Sequence, residues 1–315
     1  MRIAVSDENP TILLSGGFGK RRSLMDAGLF AKVLVNGLMS GGIYALVATG
    51  FTLILGVIQV FNFTQGHFYM LGAFVTYAIV SALGLPYPVA ILAALLAMAV
   101  LGALMYFGIL QWTIPSGFFH TLLVTVACGA VISQTSLLTF GFNDRVVPAV
   151  VTSSLSIGGI SVSGSRLIVI AGAIVVMVAL YYFMKTKMGT AMVAAAENRD
   201  VAGLQGINAK QIFWITMAVG CGLSGIAGAL IVPVLSASVV MGTGMFIRVM
   251  MVVLVGGMGS MLGALLAAFI VGIIESFAYQ LVGELSLVVI FVLVAILMFF
   301  RPGGLLGKPL PVPGE

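Results

Sequence analysis

The chain has 315 residues, of which 61% are hydrophobic and 7% charged, with a formal net charge of +5 and a mean hydropathy of +1.22. Soluble domains average about a quarter charged residues, so this composition excludes a soluble globular protein and predicts an integral membrane protein. The basic residues form no stripe interleaved with aromatics, which excludes a nucleic-acid-binding face, and the few, scattered cysteines and histidines predict neither a disulfide framework nor a metal site.

A mixed, polar segment opens the chain. Three basic residues stand at 20–22, and the apolar stretch that follows is longer than the roughly 7 to 15 residues of a signal-peptide core. We therefore predict a polar extension over 1–30, followed by a retained membrane helix. GGFGKR at 16–21 is not a phosphate-binding loop, because Leu14 and Arg21 stand where that motif needs glycine and Ser or Thr.

Long apolar runs fill the chain from residue 33 to residue 300. Each is far longer than the roughly 10 residues of a membrane β-strand and lacks its alternation, so each is predicted to be helical. The longest run is interrupted by GGMGSMLG at 256–263, and glycine at this density disfavours a helix, so we expect a short helix over 246–256, a break and a full span from 260. The predicted fold is an all-α polytopic membrane protein with eight or nine transmembrane helices. The runs are 33–58, 63–83, 88–110, 120–141, 166–184, 211–235, 246–278 and 285–300.

Polar side chains separate the first two apolar runs, in NFTQGH at 62–67. Polar groups at membrane depth are costly unless they serve packing or transport, and a glycine there permits a broken backbone that directs free polar groups into a cavity. This segment is therefore the candidate substrate pathway, and an ordinary polar turn at the membrane surface is the alternative. The candidate residues are Asn62, Phe63, Gln65, Gly66 and His67.

A hydrophilic segment, AAAENRDVAGLQGIN at 194–208, lies between two later runs. Interpreted as a helix over 192–204 it is short and amphipathic, and so short a helix is marginal in water, so something must dock on it or beneath it. Gly206 suits the left-handed residue that ends a helix, and Asn208 with Gln211 resembles a capping box for the next membrane helix. The alternative is a solvated connector that lies against the protein's own helices.

Small residues recur every four positions in two late runs. GCGLSG at 220–225 satisfies GxGxxG, but it lies inside an apolar helix with no preceding strand, so close helix packing is preferred over dinucleotide binding. Glu275 is expected to be an interfacial carboxylate. The sequence holds no HExxH or GxSxG motif, and no catalytic residue is predicted. The predicted packing residues are Gly220, Ser224, Gly228, Gly259 and Gly263.

Three regions carry a family resemblance. They read NGLMSGGIYALVATGFTLILGVIQVFNFTQGHFYMLGAF at 36–74, MVAAAENRDVAGLQGINAKQIFWITMAVGCGLSGIAGAL at 192–230, and VLVGGMGSMLGALLAAFIVGIIES at 253–276 with FFRPGGLLG at 299–307. Together they resemble the branched-chain amino-acid (Liv-type) family of ABC transporter permeases over about residues 33–307. Relatives often carry His-Gly-Glu where this chain has Gln65, Gly66 and His67, and the extension has no counterpart in the family pattern.

The resemblance implies a multi-pass permease subunit of an importer in the bacterial cytoplasmic (inner) membrane. Such a subunit works by alternating access with a second permease chain, two cytoplasmic ATPase subunits that bind ATP and Mg²⁺, and an external solute-binding protein. The transmembrane domain would cover 31–308, followed by a tail over 309–315, and a coupling segment at about 187–208 would seat in an ATPase. The coupling residues would be Ala196, Glu197, Asn198, Arg199, Asp200, Leu204 and Gly206.

The substrate and the side of each terminus depend on this resemblance. The implied cargo is a branched-chain or related amino acid, with urea or an amide still open, and a secondary transporter or channel that needs no ATPase is the alternative function. Basic residues favour the cytoplasm for both 1–32 and 185–210, but five predicted spans separate these segments and place them on opposite sides. Docking to an ATPase would fix 185–210 inside, so the amino terminus is expected outside and the carboxyl terminus inside, unless the stretch 42–82 holds a further span.

Overall fold

The computed structural model describes residues 27–148, 154–157 and 160–306. Helices dominate, and π-helical turns at 78–82 and 106–110 extend α2 and α3. Single 3-10 turns lie at 114–116 and 283–285. The elements in chain order are α1 (Ala27–Ile58), α2 (Gln65–Tyr77), α3 (Tyr87–Met105), α4 (Gln111–Thr113), α5 (Phe118–Phe140), β1 (Ser154–Ile157), β2 (Ile160–Ser163), α6 (Gly164–Met184), α7 (Lys187–Glu197), α8 (Arg199–Leu204), α9 (Ala209–Ile231), α10 (Met241–Gly256), α11 (Met261–Val282) and α12 (Ser286–Phe300).

Six stretches of the described residues are long and apolar enough to cross a membrane, as expected for a multi-pass membrane protein. The last of them is 40 residues long, about twice what one crossing needs. Gly283 interrupts it with a φ of 60°, and α11 and α12 pack against each other on either side of that residue. The expected total of eight or nine crossings stays a prediction. The stretches are Gly28–Ile58, Tyr87–Ser116, Phe118–Phe140, Gly164–Met184, Ala209–Ile231 and Met261–Phe300.

The helix boundaries follow the predicted runs with two differences. The break expected within GGMGSMLG is present, since α10 ends at Gly256 and α11 begins at Met261. However, α10 begins at Met241 rather than at 246. Similarly, α1 begins at Ala27, so the last residues of the predicted extension 1–30 are helical. The rest of that extension, 1–26, and the tail from 307 lie outside the described residues.

The described residues agree with the expected all-α fold class, and a short β-hairpin lies between α5 and α6. There β1 and β2 pair antiparallel, with Leu155 opposite Val162. The local sequence SLSIGGISVS alternates serine with apolar residues on both sides of Gly-Gly, which is the pattern of a β-hairpin with a two-residue loop. Sequence reasoning overlooked this signal because each strand has only four residues.

Two helices, α1 and α9, form the centre of the bundle. The most apolar 18-residue segment of α1 is 89% buried and that of α9 is 78% buried, whereas the corresponding segments of the other spanning stretches are 17–33% buried. Glycines on α1 let α11 approach closely: a Cβ on Gly37 would lie 2.8 Å from the Cα of Ile273, and one on Gly41 would lie 2.9 Å from the Cα of Phe269. The outer helices leave apolar surface outward, as contact with lipid or another membrane subunit requires.

Contacts between helices show which chain segments lie at each end of the bundle. At one end, here called the α7 end, Met192 of α7 is buried in a cluster with Leu53 and Val57 near the end of α1. Leu305 closes this end by donating its backbone N–H to the Val255 carbonyl at 2.8 Å. At the far end, Ser276 Oγ donates to the Val33 carbonyl at 2.7 Å. The start of α1 and the segment after α6 therefore lie at opposite ends of the bundle.

Candidate functional site

The turn between α1 and α2 is buried inside the bundle. Asn62, Thr64 and Gln65 have no exposed surface, so the alternative of a polar turn at the membrane surface does not hold. Asn62 Oδ1 accepts hydrogen bonds from the Thr64 hydroxyl and, at 3.1 Å, from the Thr64 backbone N–H. Asn62 Nδ2 donates to Gln65 Oε1 at 3.3 Å. The asparagine thus supplies the local bonds that a buried turn needs.

Gln65 connects this turn to the middle of α9. Its Nε2 donates to the Gly220 carbonyl at 2.8 Å and to Ser224 Oγ at 2.6 Å. A Cβ on Gly50 of α1 would lie 2.6 Å from that same Gly220 carbonyl. The amide of Gln65 is therefore enclosed by helices and bonded at both of its polar atoms, which is the arrangement of a structural cross-link.

The other three predicted pathway residues make apolar or steric contacts. The ring centroid of Phe63 lies 4.6 Å from that of Phe246 on α10. A Cβ on Gly66 would lie 2.1 Å from the Gly242 carbonyl, and His67 is half-buried, with its Cε1 3.0 Å from where a Cβ on Gly129 would be. The structure thus spreads the five residues over contacts with α9, α10 and α5 instead of gathering them around one opening.

The five predicted packing residues play three different parts in the structure. Three of the glycines permit backbone contact between helices. A Cβ on Gly220 would lie 2.8 Å from the Gly50 carbonyl. A Cβ on Gly228 would lie 1.9 Å from the Tyr69 carbonyl, and one on Gly263 would lie 2.1 Å from the Gly256 carbonyl. Ser224 acts through its hydroxyl, which accepts from Gln65. Gly259 is a correction, because it lies in the turn between α10 and α11 with a φ of 81° and nothing near its absent Cβ. Its role is to allow a left-handed turn.

A charged cluster that the sequence did not reveal lies between α1, α10 and α11. Arg248 Nε donates to Glu275 Oε1 at 2.7 Å, and Tyr44 OH donates to Glu275 Oε2 at 2.6 Å. Glu275 is 9% exposed, so the expectation of an interfacial carboxylate is wrong. The available signal was one cation and one anion within late apolar runs, whose cost favours mutual pairing.

Arg248 borders a cavity of about 410 Å³. The side chain retains 31% of its exposed surface although Glu275 holds it. The cavity is otherwise lined mainly by apolar side chains of α1, α9 and α10, with three serines and two tyrosines, and the exposed Leu235 and Val240 stand at its rim. None of the five predicted pathway residues is among its lining residues. The structure therefore places a mostly apolar cavity with one arginine beside α10, and the turn at 62–65 does not line it.

The hydrophilic segment forms two helices, not the single helix expected over 192–204. Asn198 has an extended backbone between α7 and α8, and its Oδ1 accepts from the Val201 N–H at 3.1 Å, which is the action of a helix N-cap. Ala196 is half-buried, and Glu197 and Asn198 are exposed. Arg199 and Asp200 begin α8, and their side chains lie outside the described part.

The end of this segment has the geometry expected for it. Gly206 has a φ of 82°, and Asn208 Oδ1 accepts from the N–H groups of Lys210 and Gln211 at 3.1 and 3.3 Å, so it caps α9. Leu204 is 88% exposed. Val201 on the same short helix is 49% exposed, so α8 leaves apolar side chains outside the bundle.

A groove of about 480 Å³ runs beside α7. It lies between Ala196 and Glu197 on one side and the glycine turn at 257–260 on the other, and Leu306 closes one part of it. The same turn connects α10 to α11. The end of α7 therefore borders the junction of α10 and α11, the helices that carry Arg248 and Glu275.

Comparison with known proteins places the chain among membrane permeases. The family described as the permease component of the branched-chain amino acid transport system matches residues 33–298. The chain is 26% identical over 298 residues to the high-affinity branched-chain amino acid transport system permease protein BraD of Pseudomonas aeruginosa, covering 89% of this chain and 96% of the relative. It is 28% identical over 302 residues to the permease protein LivH of Escherichia coli, with the same coverage. A probable branched-chain permease of Methanocaldococcus jannaschii is 24% identical over 272 residues, covering 84% of this chain and 82% of the relative. No solved structure matches the chain at a significant level.

Proposed function

The chain belongs to the family of permease components of the branched-chain amino acid transport system, and from this premise we propose that it is the membrane-spanning subunit of an ATP-driven importer for branched-chain or related amino acids. The relatives' names describe transport of such amino acids. The observation that carries the ATP-driven mechanism is the exposed pair α7 and α8. The side chains of Leu204 and Glu197 on these helices are exposed at the α7 end of the bundle.

The proposed partners follow from that surface and from the family. A cytoplasmic ATPase seats α7 and α8 through Ala196, Glu197, Asn198, Arg199, Asp200, Leu204 and Gly206, and two such ATPases bind ATP and Mg²⁺. A second permease chain, different from this one, completes the pathway, and an external binding protein delivers the substrate. The assembly lies in the bacterial inner membrane, and this chain contributes no catalytic residue.

The sidedness follows once α7 and α8 face an ATPase. The α7 end is then cytoplasmic, and the beginning of α1, at the far end, is external. The end of α12 also belongs to the α7 end, because Leu306 donates its backbone N–H to the Gly256 carbonyl at 3.1 Å. The pathway alternates between an opening at the far end and an opening near the groove beside α7.

The test replaces Glu197, Asn198, Arg199 and Asp200 together with alanine in the assembled transporter. We expect the variant to remain folded and in the membrane but to lose ATPase co-purification and ATP-dependent uptake of L-leucine. The matched control is Glu284→Ala, which removes an exposed charge at the far end and should leave assembly and uptake unchanged.

Two results would overturn the proposal. One is normal complex assembly and uptake in the alanine variant, which would remove the role of α7 and α8. The other is nucleotide-independent uptake by this chain alone in liposomes, which would favour a secondary transporter or channel.

A further inference from the structure

The Arg248 guanidinium in the cavity beside α10 is held in place by hydrogen bonds that leave some of its N–H donors free. Arg248 Nε is bonded to Glu275 at 2.7 Å and Nη1 donates to the Gly244 carbonyl at 3.1 Å. These bonds use two of the five N–H groups of a guanidinium. Among the described residues nothing accepts a hydrogen bond from Nη2. Donors therefore remain available toward the cavity that Arg248 lines.

Glu275 fixes the direction of that guanidinium. Its carboxylate is bonded at Oε1 by Arg248 and at Oε2 by Tyr44, and both Glu275 and Tyr44 are buried. An arginine positioned by a buried carboxylate loses little side-chain freedom when it binds an anion, and its planar fork matches a carboxylate with two parallel hydrogen bonds. A lysine would offer no such fork.

The rest of the cavity suits an aliphatic molecule with a charged end. Met39, Ile43, Ile231 and Met245 supply apolar walls. Ser40, Ser236 and Ser238 add hydroxyl groups to the lining. A binding site in a membrane protein is typically such a mostly apolar pocket with a few placed polar groups.

The location also fits entry from outside. The cavity is lined by Met39 to Tyr44 in the first half of α1 and by Leu235 to Val240 after the end of α9, so it belongs to the far end of the bundle and not to the α7 end. The sidedness proposed above makes that end external. An imported amino acid would therefore meet the residues of this cavity on entering the protein from outside.

We propose that Arg248 binds the α-carboxylate of an aliphatic amino acid in the cavity between α1, α9 and α10, with Glu275 as the positioning residue. This inference rests on the proposed function and adds the site at which the substrate is held. The substrate's aliphatic side chain lies against the methionine and isoleucine walls. An uncharged cargo such as urea or a simple amide leaves the guanidinium without its carboxylate partner.

The experiment uses the whole transporter in nanodiscs and compares binding of L-leucine with binding of leucinamide, which has an amide in place of the carboxylate. Arg248→Gln should weaken leucine binding by about tenfold or more, because a charge-assisted pair is lost, while leucinamide binding changes little. Arg248→Lys should give an intermediate loss, and Glu275→Gln a smaller loss with the same selectivity. The control is Arg166→Lys, since Arg166 hydrogen-bonds Asn36 on α1 and does not line the cavity.

A purely structural arginine would lower the binding of both ligands equally or of neither, and either result overturns the proposal. If Arg248 variants do not fold, Ser238→Cys is used with Cys128 and Cys221 replaced by alanine. Saturating leucine, but not leucinamide, should slow maleimide labelling of that thiol at the cavity, and unchanged labelling overturns the proposal. Failure of ATP-dependent leucine uptake by the wild-type complex removes the proposed function itself. Normal uptake with unselective Arg248 variants removes only this site.

Discussion

Two polar segments interrupt this apolar chain, and they differ in where their partners are. The turn at 62–65 is enclosed, and Asn62, Thr64 and Gln65 are bonded to one another and to α9. The segment at 187–208 lies at the surface and leaves Glu197, Asn198 and Leu204 exposed. The polar groups of the first segment hold helices together, and those of the second segment remain at the surface, where we propose that an ATPase binds. Polarity alone therefore does not identify a functional segment.

The comparison has an energetic side. A buried polar group left without a partner costs about 1–3 kcal/mol, so each change within the turn at 62–65 should reduce stability. An exposed side chain can usually be changed within about 0.5 kcal/mol, so changes to the exposed side chains of α7 and α8 should largely spare the fold and affect assembly. The predictions below test this separation, beginning with the largest loss of stability.

Gly228→Val should abolish the folded state. A Cβ there would lie 1.9 Å from the Tyr69 carbonyl, and a backbone clash can be relieved only by moving α2 away from α9, at more than about 3 kcal/mol. Size-exclusion chromatography in detergent measures the monodisperse yield. Gly108→Ala is the control, because nothing lies near its Cβ position. A well-folded valine variant would contradict the close packing of α2 on α9.

Gln65→Leu should lower stability by about 1–3 kcal/mol, because Asn62 and Ser224 lose a partner inside the bundle. The thermal unfolding midpoint of the purified protein measures the effect. The control is Gln111→Leu, since Gln111 makes only an exposed bond to the Phe107 carbonyl at 2.6 Å. Equal midpoints for the two variants would mean that the buried bonds of Gln65 do not stabilise the fold.

Asn198→Ala should destabilise α8 locally by about 1 kcal/mol, the usual cost of losing an N-cap side chain. Hydrogen exchange at the amides of Val201 and Ala202 measures the fraying, which should not reach α9. Asn198→Asp keeps an acceptor oxygen and should exchange as slowly as the wild type. Faster exchange spread over the whole bundle would show that α7 and α8 are part of the core.

Leu204→Ser should leave the unfolding midpoint within about 0.5 kcal/mol of the wild type but reduce retention of the ATPase. Pull-down of the ATPase subunits and ATP-dependent uptake measure the loss. Leu281→Ser is the matched control, because Leu281 is 82% exposed at the far end of the bundle. Retention that is equal in the two variants would contradict a docking role for Leu204.

Much of the helical architecture could be predicted from sequence, because apolar run length and glycine position act locally. The break between α10 and α11 is an example, since Gly257 and Gly259 adopt φ angles of 99° and 81° that other residues rarely adopt. The sequence also predicted the helix end at Gly206 and the helix start at Asn208. The β-hairpin at 154–163 was missed, although its alternating serines carried the signal.

The candidate site was less predictable, because it depends on pairings between distant residues. Arg248 and Glu275 are 27 positions apart, and Tyr44 comes from the other end of the chain, so no local pattern joins them. The sequence singled out 62–67 as a candidate substrate pathway, but only the fold reveals that Gln65 is bonded to Gly220 and Ser224. The break between α7 and α8 could not be predicted without knowing that Asn198 Oδ1 accepts a hydrogen bond from the Val201 N–H.

The short helix α10 has a mechanical consequence. Its last residue, Gly256, touches the backbone of Gly263 and accepts a hydrogen bond from Leu306 beside the groove of α7. Arg248 lies two turns earlier on the same helix, at a rise of about 12 Å. Because α10 is one continuous helix over Met241–Gly256, a displacement of its end at Gly256 would also displace the Arg248 guanidinium.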